Sequence, residues 1–204
     1  MTKAKIAVLA SGGGTNFQAL IDSVGSVIKS GEIVLLVAAK EGAYAAERAR
    51  LAGIPHETVV FTKKTAAEFE ARVQELFDEY SVDVVVLAGF LSILSESFTR
   101  RYEGRMLNIH PSLIPSFCGK GFYGLKVHEA ALEYGVKVTG ATVHYVNGVA
   151  DGGEIIMQKA VDVLPGDTPE TLQRRVMEQA EWVILPRAVE LVCQKLLDEK
   201  QIKA

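Results

Sequence analysis

The sequence predicts one α/β domain built on a mostly parallel, doubly wound sheet. Uninterrupted apolar runs, such as residues 6–10 and 84–88, are typical of strands that are buried on both faces. Segments with apolar residues at helical spacing separate these runs, and this alternation favours parallel strands with right-handed crossovers. The 204 residues are 49% apolar, enough for one large core, and no linker or repeat divides them. We therefore expect a single domain over residues 1–204.

The first half of the chain carries four predicted strands, at residues 6–10, 33–38, 57–60 and 83–88, the last of them central. Between them, the first predicted helix opens at Asn16, because apolar residues at helical spacing run from Phe17 to Ile28. The second covers residues 43–51. The third begins after Thr65, which forms a capping-box pattern with Glu68.

The second half of the chain has a different pattern. Residues 106–110 form a short apolar strand, and a helix over residues 123–134 ends at a glycine. Two extended stretches, at residues 139–146 and 154–164, are expected to pair as neighbours. Thr168 then caps a long helical region that reaches about residue 200, and Pro186 should split or kink it.

Composition excludes several classes of function. A net charge of −3 without a basic cluster argues against nucleic acid as the main partner. No apolar run approaches the roughly 20 residues that a membrane helix needs, and we assign the apolar N-terminus to the first strand. The two cysteines, Cys118 and Cys193, imply no disulfide framework, so we expect a cytoplasmic protein.

Two polar side chains stand on one face of the strand at residues 106–110. Asn108 and His110 are two residues apart, so their side chains share a face, and Pro111 forces the chain to turn directly afterwards. Asp151 follows 41 residues after the histidine, before two glycines. Alone, such a histidine is more often structural and Asp-Gly-Gly is more often a turn. Together, an amide, an imidazole and a carboxylate supply what acyl transfer to an amine requires.

A glycine-rich loop, Ser-Gly-Gly-Gly-Thr-Asn at residues 11–16, joins the first strand to the first helix. Backbone N–H groups at a helix N-terminus form an anion site, and glycines allow close approach. The loop departs from a dinucleotide fingerprint, since Phe17 occupies the position of the third glycine. A phosphate monoester fits this loop better than a dinucleotide does.

The segments at residues 87–90 (Leu-Ala-Gly-Phe), 108–113 (Asn-Ile-His-Pro-Ser-Leu) and 151–153 (Asp-Gly-Gly) resemble the folate-dependent formyltransferases, and the resemblance extends over essentially the whole chain. It implies a Rossmann-like catalytic domain with 10-formyltetrahydrofolate as co-substrate and no metal. Within the family, the glycine loop resembles that of the members that formylate glycinamide ribonucleotide. The implied partners are these small molecules, with no nucleic acid and no membrane, and the chain is expected to be a monomer or a homodimer.

The resemblance also implies roles for individual residues. The catalytic residues are Asn108, His110 and Asp151. The substrate phosphate lies against Gly13, Gly14, Thr15 and Asn16, and the rest of that substrate against Gly89, Pro111 and Glu181. The folate pocket is formed by Leu87, Phe90, Leu91, Ser92, Ile93, Leu94, Val149, Ala150 and Asp151.

The chain departs from the family pattern at two places. Ser92 stands where the family often has an arginine, so a cationic contact to the folate is absent there. The spacing from Val176 to Glu181 is one residue longer than in some relatives, and Trp182 replaces a histidine. The glycine-rich loop at residues 115–124 is expected to be a mobile flap over the site.

The expected mechanism is direct attack of the substrate amine on the formyl carbon. Asn108 and a protonated His110 would donate hydrogen bonds to the oxyanion, and Asp151 would raise the pKa of His110. Two alternatives in the same class stay open, a 10-formyltetrahydrofolate hydrolase and a sugar-amine formyltransferase. The alternative from another class is a nucleotide-binding protein or oxidoreductase of the Rossmann type.

Overall fold

In the computed structural model, which describes residues 3–202, a single seven-stranded sheet has six strands that run in one direction and one that runs opposite to them. The strands are β1 (Ala4–Ala10), β2 (Gly31–Ala38), β3 (His56–Thr58), β4 (Val84–Leu87), β5 (Met106–His110), β6 (Val138–Tyr145) and β7 (Ile155–Asp162). Their order is β3-β2-β1-β4-β5-β6-β7, so β4 is central, as predicted. The chain winds outward from β1 in both directions, which confirms the doubly wound topology.

The antiparallel pairs lie at one end of the sheet. β6 pairs with β5 on one side and with β7 on the other, which confirms that the two extended stretches are neighbours. The ends of the predicted domain, residues 1–2 and 203–204, lie outside the described residues.

The helices are α1 (Thr15–Ser23), α2 (Tyr44–Leu51), α3 (Ala66–Glu79), α4 (Glu96–Arg100), α5 (Leu125–Tyr134), α6 (Pro169–Val176) and α7 (Trp182–Ile202). The prediction that the first helix continues to Ile28 is wrong. Val24 is already extended, and the chain turns at Gly25, whose φ is 83°. Ile28 is fully buried all the same, so its apolar character reflects packing after the turn.

The two predicted helix caps have different outcomes. Thr168 caps α6, as expected, and the structure adds a reciprocal capping box with Thr171. Thr65 precedes α3, but its side chain makes no capping bond to that helix. Its hydroxyl lies 2.7 Å from the hydroxyl of Thr62, so the predicted capping box with Glu68 is wrong.

The C-terminal helical region is interrupted earlier than predicted. A π-helical turn, Met177–Glu181, separates α6 from α7, whereas Pro186 lies inside α7 without ending it. A π turn holds about one residue more than an α turn does. The extra residue between Val176 and Glu181 is therefore accommodated within the helix.

The sheet separates two apolar cores. Ile6, Val8 and Ala10 of β1 pack with α1, α2, α6 and α7, whereas Ala7 and Leu9 pack on the opposite side with α3 and α4. This alternation follows from the period of two along a strand. Among residues 3–202, no helix is long and apolar enough to cross a membrane.

Candidate active site

The site lies where the winding direction of the sheet changes, between the carboxyl ends of β1 and β4. This is the usual position of ligands in open α/β sheets. Ser11, which follows β1, donates its backbone N–H to the carbonyl of Gly89, which follows β4, at 3.1 Å. The backbone N–H of Leu91 donates to the hydroxyl of Ser11 at 3.3 Å. These bonds place the glycine loop beside the segment predicted to bind folate.

Asn108 and His110 share one face of β5, as their spacing predicts. In the antiparallel register, Asn108 lies opposite His144 of β6, and His110 lies opposite Thr142. Thr142 fixes the turn after β5, because its hydroxyl donates to the carbonyl of Ser112 at 2.6 Å. The polar face of β5 therefore continues across β6.

Asp151 reaches this face from the loop between β6 and β7. One carboxylate oxygen, Oδ2, lies 3.5 Å from Nδ1 of His110, and the other, Oδ1, lies 3.4 Å from Nδ2 of Asn108. The backbone of Asp151 has a φ of 53°, a region in which aspartate is enriched. The structure thus brings together the amide, the imidazole and the carboxylate that the sequence singled out.

The two glycines after Asp151 allow the loop to pack against β6. A Cβ atom added to Gly153 would lie 1.7 Å from the carbonyl oxygen of Tyr145. One added to Gly152 would lie 2.7 Å from the side chain of Val149. Contact with a backbone carbonyl leaves no room for a side chain at Gly153, so this residue determines how closely Asp151 approaches the strand face.

The buried state of His110 contradicts one expectation from the sequence. His110 is 4% exposed, and its Nε2 lies 2.9 Å from the carbonyl oxygen of Phe117, to which it donates. Burial lowers the pKa of His110, and the opposing influence of Asp151 does not overcome it. The prediction of an imidazolium with a raised pKa is therefore wrong: the ring is neutral at pH 7, with a lone pair on Nδ1.

Asp151 is a carboxylate at neutral pH. Burial by itself would raise its pKa, but its contacts with His144, His110 and Gly119 lower it below the ordinary value. The backbone N–H of Gly119 donates to Oδ2 at 2.8 Å. The negatively charged carboxylate of Asp151 therefore lies beside the unprotonated Nδ1 of His110.

The loop at residues 115–124 lies directly over these groups. The carbonyl of Phe117 binds His110, and the N–H of Gly119 binds Asp151. The φ of Phe117 is 49°, so this part of the loop has an unusual backbone. Two backbone groups of the loop thus contact two of the three central side chains.

The glycine loop contains two kinds of glycine. Gly14 has a φ of 68°, and an added Cβ would lie 2.8 Å from Cβ of Ala45 in α2. Gly13 has open space at that position. Gly14 is therefore required for packing against α2, which the pattern of glycines did not reveal.

Arg48 of α2 supports this loop and was missed in the sequence. Its Nε donates to the carbonyl of Gly13 at 2.8 Å, and Nη1 donates to the side chain of Gln18 at 2.9 Å. Because it binds a carbonyl, Arg48 leaves the N–H groups of the loop available to an anion. No local sequence signal marks this role, since the contact joins residues 35 positions apart.

Glu181 lies against the same loop. It is 6% exposed and accepts a hydrogen bond from Nδ2 of Asn16 at 2.5 Å. Burial raises the pKa of Glu181, and the bond from Asn16 only partly opposes this change. Oδ1 of Asn16 is buried and has no hydrogen-bond partner among the described residues. Glu181, the last residue of the π turn, thus contacts the predicted phosphate loop, although its spacing from Val176 is altered.

The residues predicted to bind folate fall into two groups. Leu87, Phe90 and Leu94 are buried, and the ring of Phe90 stacks on Phe69 with a centroid distance of 5.9 Å. The others lie nearer the surface: Leu91, Ile93 and Val149 are 63%, 64% and 66% exposed. The buried group belongs to the core beneath the site, and the exposed group supplies apolar surface around it. Within residues 3–202, no cluster of three or more His, Cys, Asp or Glu is placed to hold a metal.

His128 of α5 is a further buried imidazole near the site. It is fully buried, and neither ring nitrogen has a hydrogen-bond partner among the described residues. Burial, with a smaller contribution from His110, lowers the pKa of His128 to about 4. The unfolded chain therefore binds a proton at His128 near pH 6.5, whereas the folded chain does so only near pH 4.

Stability is consequently expected to fall as the pH falls. Between pH 7 and pH 5, His128 should lower the free energy of unfolding by about 2 kcal/mol. Urea titrations at both pH values measure this decrease in the free energy of unfolding. The control is His128→Leu, which removes the titrating group without removing a hydrogen bond, and its free energy of unfolding should decrease less between the two pH values. An equal loss in the variant would contradict this prediction.

Comparison with known proteins places this geometry in context. A family described as formyl transferase matches residues 4–189. The trifunctional purine biosynthetic protein adenosine-3 of Bos taurus is 46% identical over 191 residues, which are 93% of this chain and 18% of the bovine protein. The chain thus spans less than a fifth of the length of the trifunctional relatives. The phosphoribosylglycinamide formyltransferase of Haemophilus influenzae is 39% identical over 188 residues, or 91% of this chain and 85% of that protein.

A solved structure agrees with these relatives. Glycinamide ribonucleotide transformylase 1 from Symbiobacterium toebii superposes with a TM-score of 0.85 at 39% identity, over 95% of this chain and 89% of the other. The range matched by the family includes Asn108, His110, Asp151 and Glu181. The fold, the placement of these side chains and the extent of the match lead to one conclusion: the chain belongs to the formyl transferase family.

Proposed function

We propose that this protein transfers a formyl group from 10-formyltetrahydrofolate to the amine of glycinamide ribonucleotide, a step of purine biosynthesis. The observation that carries the proposal is the meeting of Asn108, His110 and Asp151 at the end of β5. The Haemophilus and Symbiobacterium relatives support it, since both are named for this activity. The free thiols Cys118 and Cys193 fit the reducing cytoplasm, where we place the protein.

The reaction begins when the neutral amine attacks the formyl carbon. A C–N bond forms, and the formyl oxygen becomes an oxyanion that accepts a hydrogen bond from Nδ2 of Asn108. Nδ1 of His110 takes the proton that the amine loses, and Asp151 at 3.5 Å stabilises the resulting imidazolium. The tetrahedral intermediate then collapses, the bond from carbon to the folate nitrogen breaks, and His110 returns a proton to that nitrogen.

The remaining predicted residues hold the two substrates. The N–H groups of the glycine loop bind the phosphate, and Glu181 binds the ribonucleotide beside Asn16. Exposed Leu91, Ile93 and Val149 provide apolar surface for the folate. The loop at residues 115–124 acts as a flap that limits access of water, because water competes with the amine for the formyl carbon.

The test is an assay with a 10-formyl folate analogue, with and without glycinamide ribonucleotide. We expect deformylated folate to appear only when the ribonucleotide is present, with the formyl group recovered on its amine. Release without the ribonucleotide would instead indicate a hydrolase. If there is no release but NAD(P)H binds tightly in a fluorescence titration, the chain is a nucleotide-binding protein and the proposal fails.

A matched pair of variants tests the phosphate loop. Gly13→Val adds a side chain in open space where the phosphate approaches, so KM for the ribonucleotide should rise at least about tenfold with an unchanged Tm. Gly14→Ala should lower the free energy of unfolding by about 1–3 kcal/mol, because of its positive φ and its contact with Ala45. A normal KM in Gly13→Val would show that the loop binds no phosphate.

A further inference from the structure

We propose that His144 is a positioning residue that keeps the carboxamide nitrogen of Asn108 turned toward the reacting carbon. The inference rests on the proposed function, in which Asn108 donates a hydrogen bond to the oxyanion. Its basis is the pairing of the two residues across β5 and β6, where His144 lies directly opposite Asn108. Side chains in such a pair project from the same face and are in contact.

The ring of His144 is held in one orientation. It is 2% exposed, and Nδ1 lies 2.8 Å from the carbonyl oxygen of Tyr145, the next residue in the chain. A carbonyl oxygen only accepts, so Nδ1 carries a hydrogen, and the tautomer with that hydrogen has its lone pair on Nε2. Nε2 lies 3.1 Å from Nδ2 of Asn108, within hydrogen-bond range, and 3.5 Å from Oδ1 of Asp151, beyond it, so its lone pair accepts one of the two N–H groups of Asn108.

The second N–H of Asn108 has a weaker partner. It points toward Oδ1 of Asp151 at 3.4 Å, a long contact that the amide can exchange for the formyl oxygen. The carboxamide therefore has one firm bond, to His144, and one donor that is available beside His110 and Asp151. The oxyanion would meet this second donor.

The orientation matters because a carboxamide has a donor end and an acceptor end of nearly equal size. A rotation of 180° would present Oδ1 to the oxyanion, and the two oxygens would repel each other. Only the orientation with nitrogen toward the site gives His144 a donor to bind. The packing of Gly153 against the carbonyl of Tyr145 keeps the base of this arrangement in place.

Two substitutions separate positioning from packing. His144→Asn keeps an amide N–H that can reach Tyr145 but loses the acceptor for Asn108, whereas His144→Gln can place its amide oxygen near the position of Nε2. We expect His144→Asn to lower kcat about 10- to 100-fold with KM values within about twofold of the wild type, since an oxyanion donor is worth about 10²–10³ in kcat. His144→Gln should retain kcat within about fivefold.

A double-mutant cycle shows whether His144 acts through Asn108. In the Asn108→Ala background, His144→Asn should cost less than about threefold, because the group that it positions is gone. The same loss of kcat in both backgrounds would overturn the proposal, as would a loss confined to KM or to Tm.

A spectroscopic measurement tests the contact without formyl transfer. In ¹⁵N-labelled wild-type protein at pH 7, we expect the hydrogen of the His144 ring to be on Nδ1. We also expect a hydrogen-bond coupling between Nε2 of His144 and an N–H of Asn108. The control is His144→Asn, in which this coupling should be absent. A ring protonated on Nε2 would overturn the proposal. If the wild type transfers no formyl group, the proposed function fails while this measurement still decides whether His144 holds Asn108.

Discussion

Replacing Asp151 by asparagine is expected to lower kcat about 10²–10⁴-fold without unfolding the protein. Asparagine tolerates the backbone φ of 53° and keeps the shape of the side chain, but it removes the charge that stabilises protonated His110. Steady-state kinetics measure the loss, and circular dichroism shows that the fold is intact. Turnover close to that of the wild type would remove the proposed mechanism.

The same substitution should change the titration of His110. Burial already lowers the pKa of His110, and Asp151 opposes that decrease. Removing the carboxylate should therefore lower the pKa further, so the neutral base persists to lower pH in Asp151→Asn. An NMR titration of His110 in both proteins measures the difference. An unchanged pKa would show that Asp151 does not act on the imidazole.

Gly153→Ala is expected to damage both stability and activity. The new Cβ would lie 1.7 Å from the carbonyl oxygen of Tyr145, so the backbone of the loop and the backbone of β6 have to move apart. We expect the free energy of unfolding to fall by about 3 kcal/mol and kcat to fall about 10²-fold, because Asp151 is displaced.

Gly152→Ala is the matched control for this change. Its Cβ would lie 2.7 Å from Cγ1 and 2.8 Å from Cβ of Val149, which belongs to the same exposed loop and not to the sheet, so a local shift of the loop should make both losses smaller. Urea unfolding and steady-state kinetics compare the two variants. Equal effects would show that the contact with Tyr145 does not determine the position of the loop.

Local pattern was sufficient for most of the fold and for part of the site. Apolar runs located β1, β4 and β5 because a strand buried on both faces needs no polar positions. The shared face of Asn108 and His110 follows from the period of two along β5. The contact of these two residues with Asp151 was expected from family resemblance and not from spacing, since only the fold brings residue 151 to this face of β5.

The features that were missed depend on tertiary packing. The pKa of His110 was predicted in the wrong direction because the burial comes from the overall fold, which no local pattern reports. No sequence motif marks His144, because its contact with Asn108 results from the register between β5 and β6. Likewise, the apolar periodicity after α1 reaches Ile28 although the helix ends at Ser23, since a turn can also bury an apolar side chain.

The π turn Met177–Glu181 makes the C-terminal segment tolerant of a change in length by one residue. Each residue of an α-helix advances the direction of its side chain by about 100°. In an uninterrupted α-helix, one added residue would rotate α6 relative to α7 by that angle. Either Leu172 and Val176 would then leave the core, or Glu181 would leave Asn16. The wider π turn takes up the added residue, so both sets of contacts are kept.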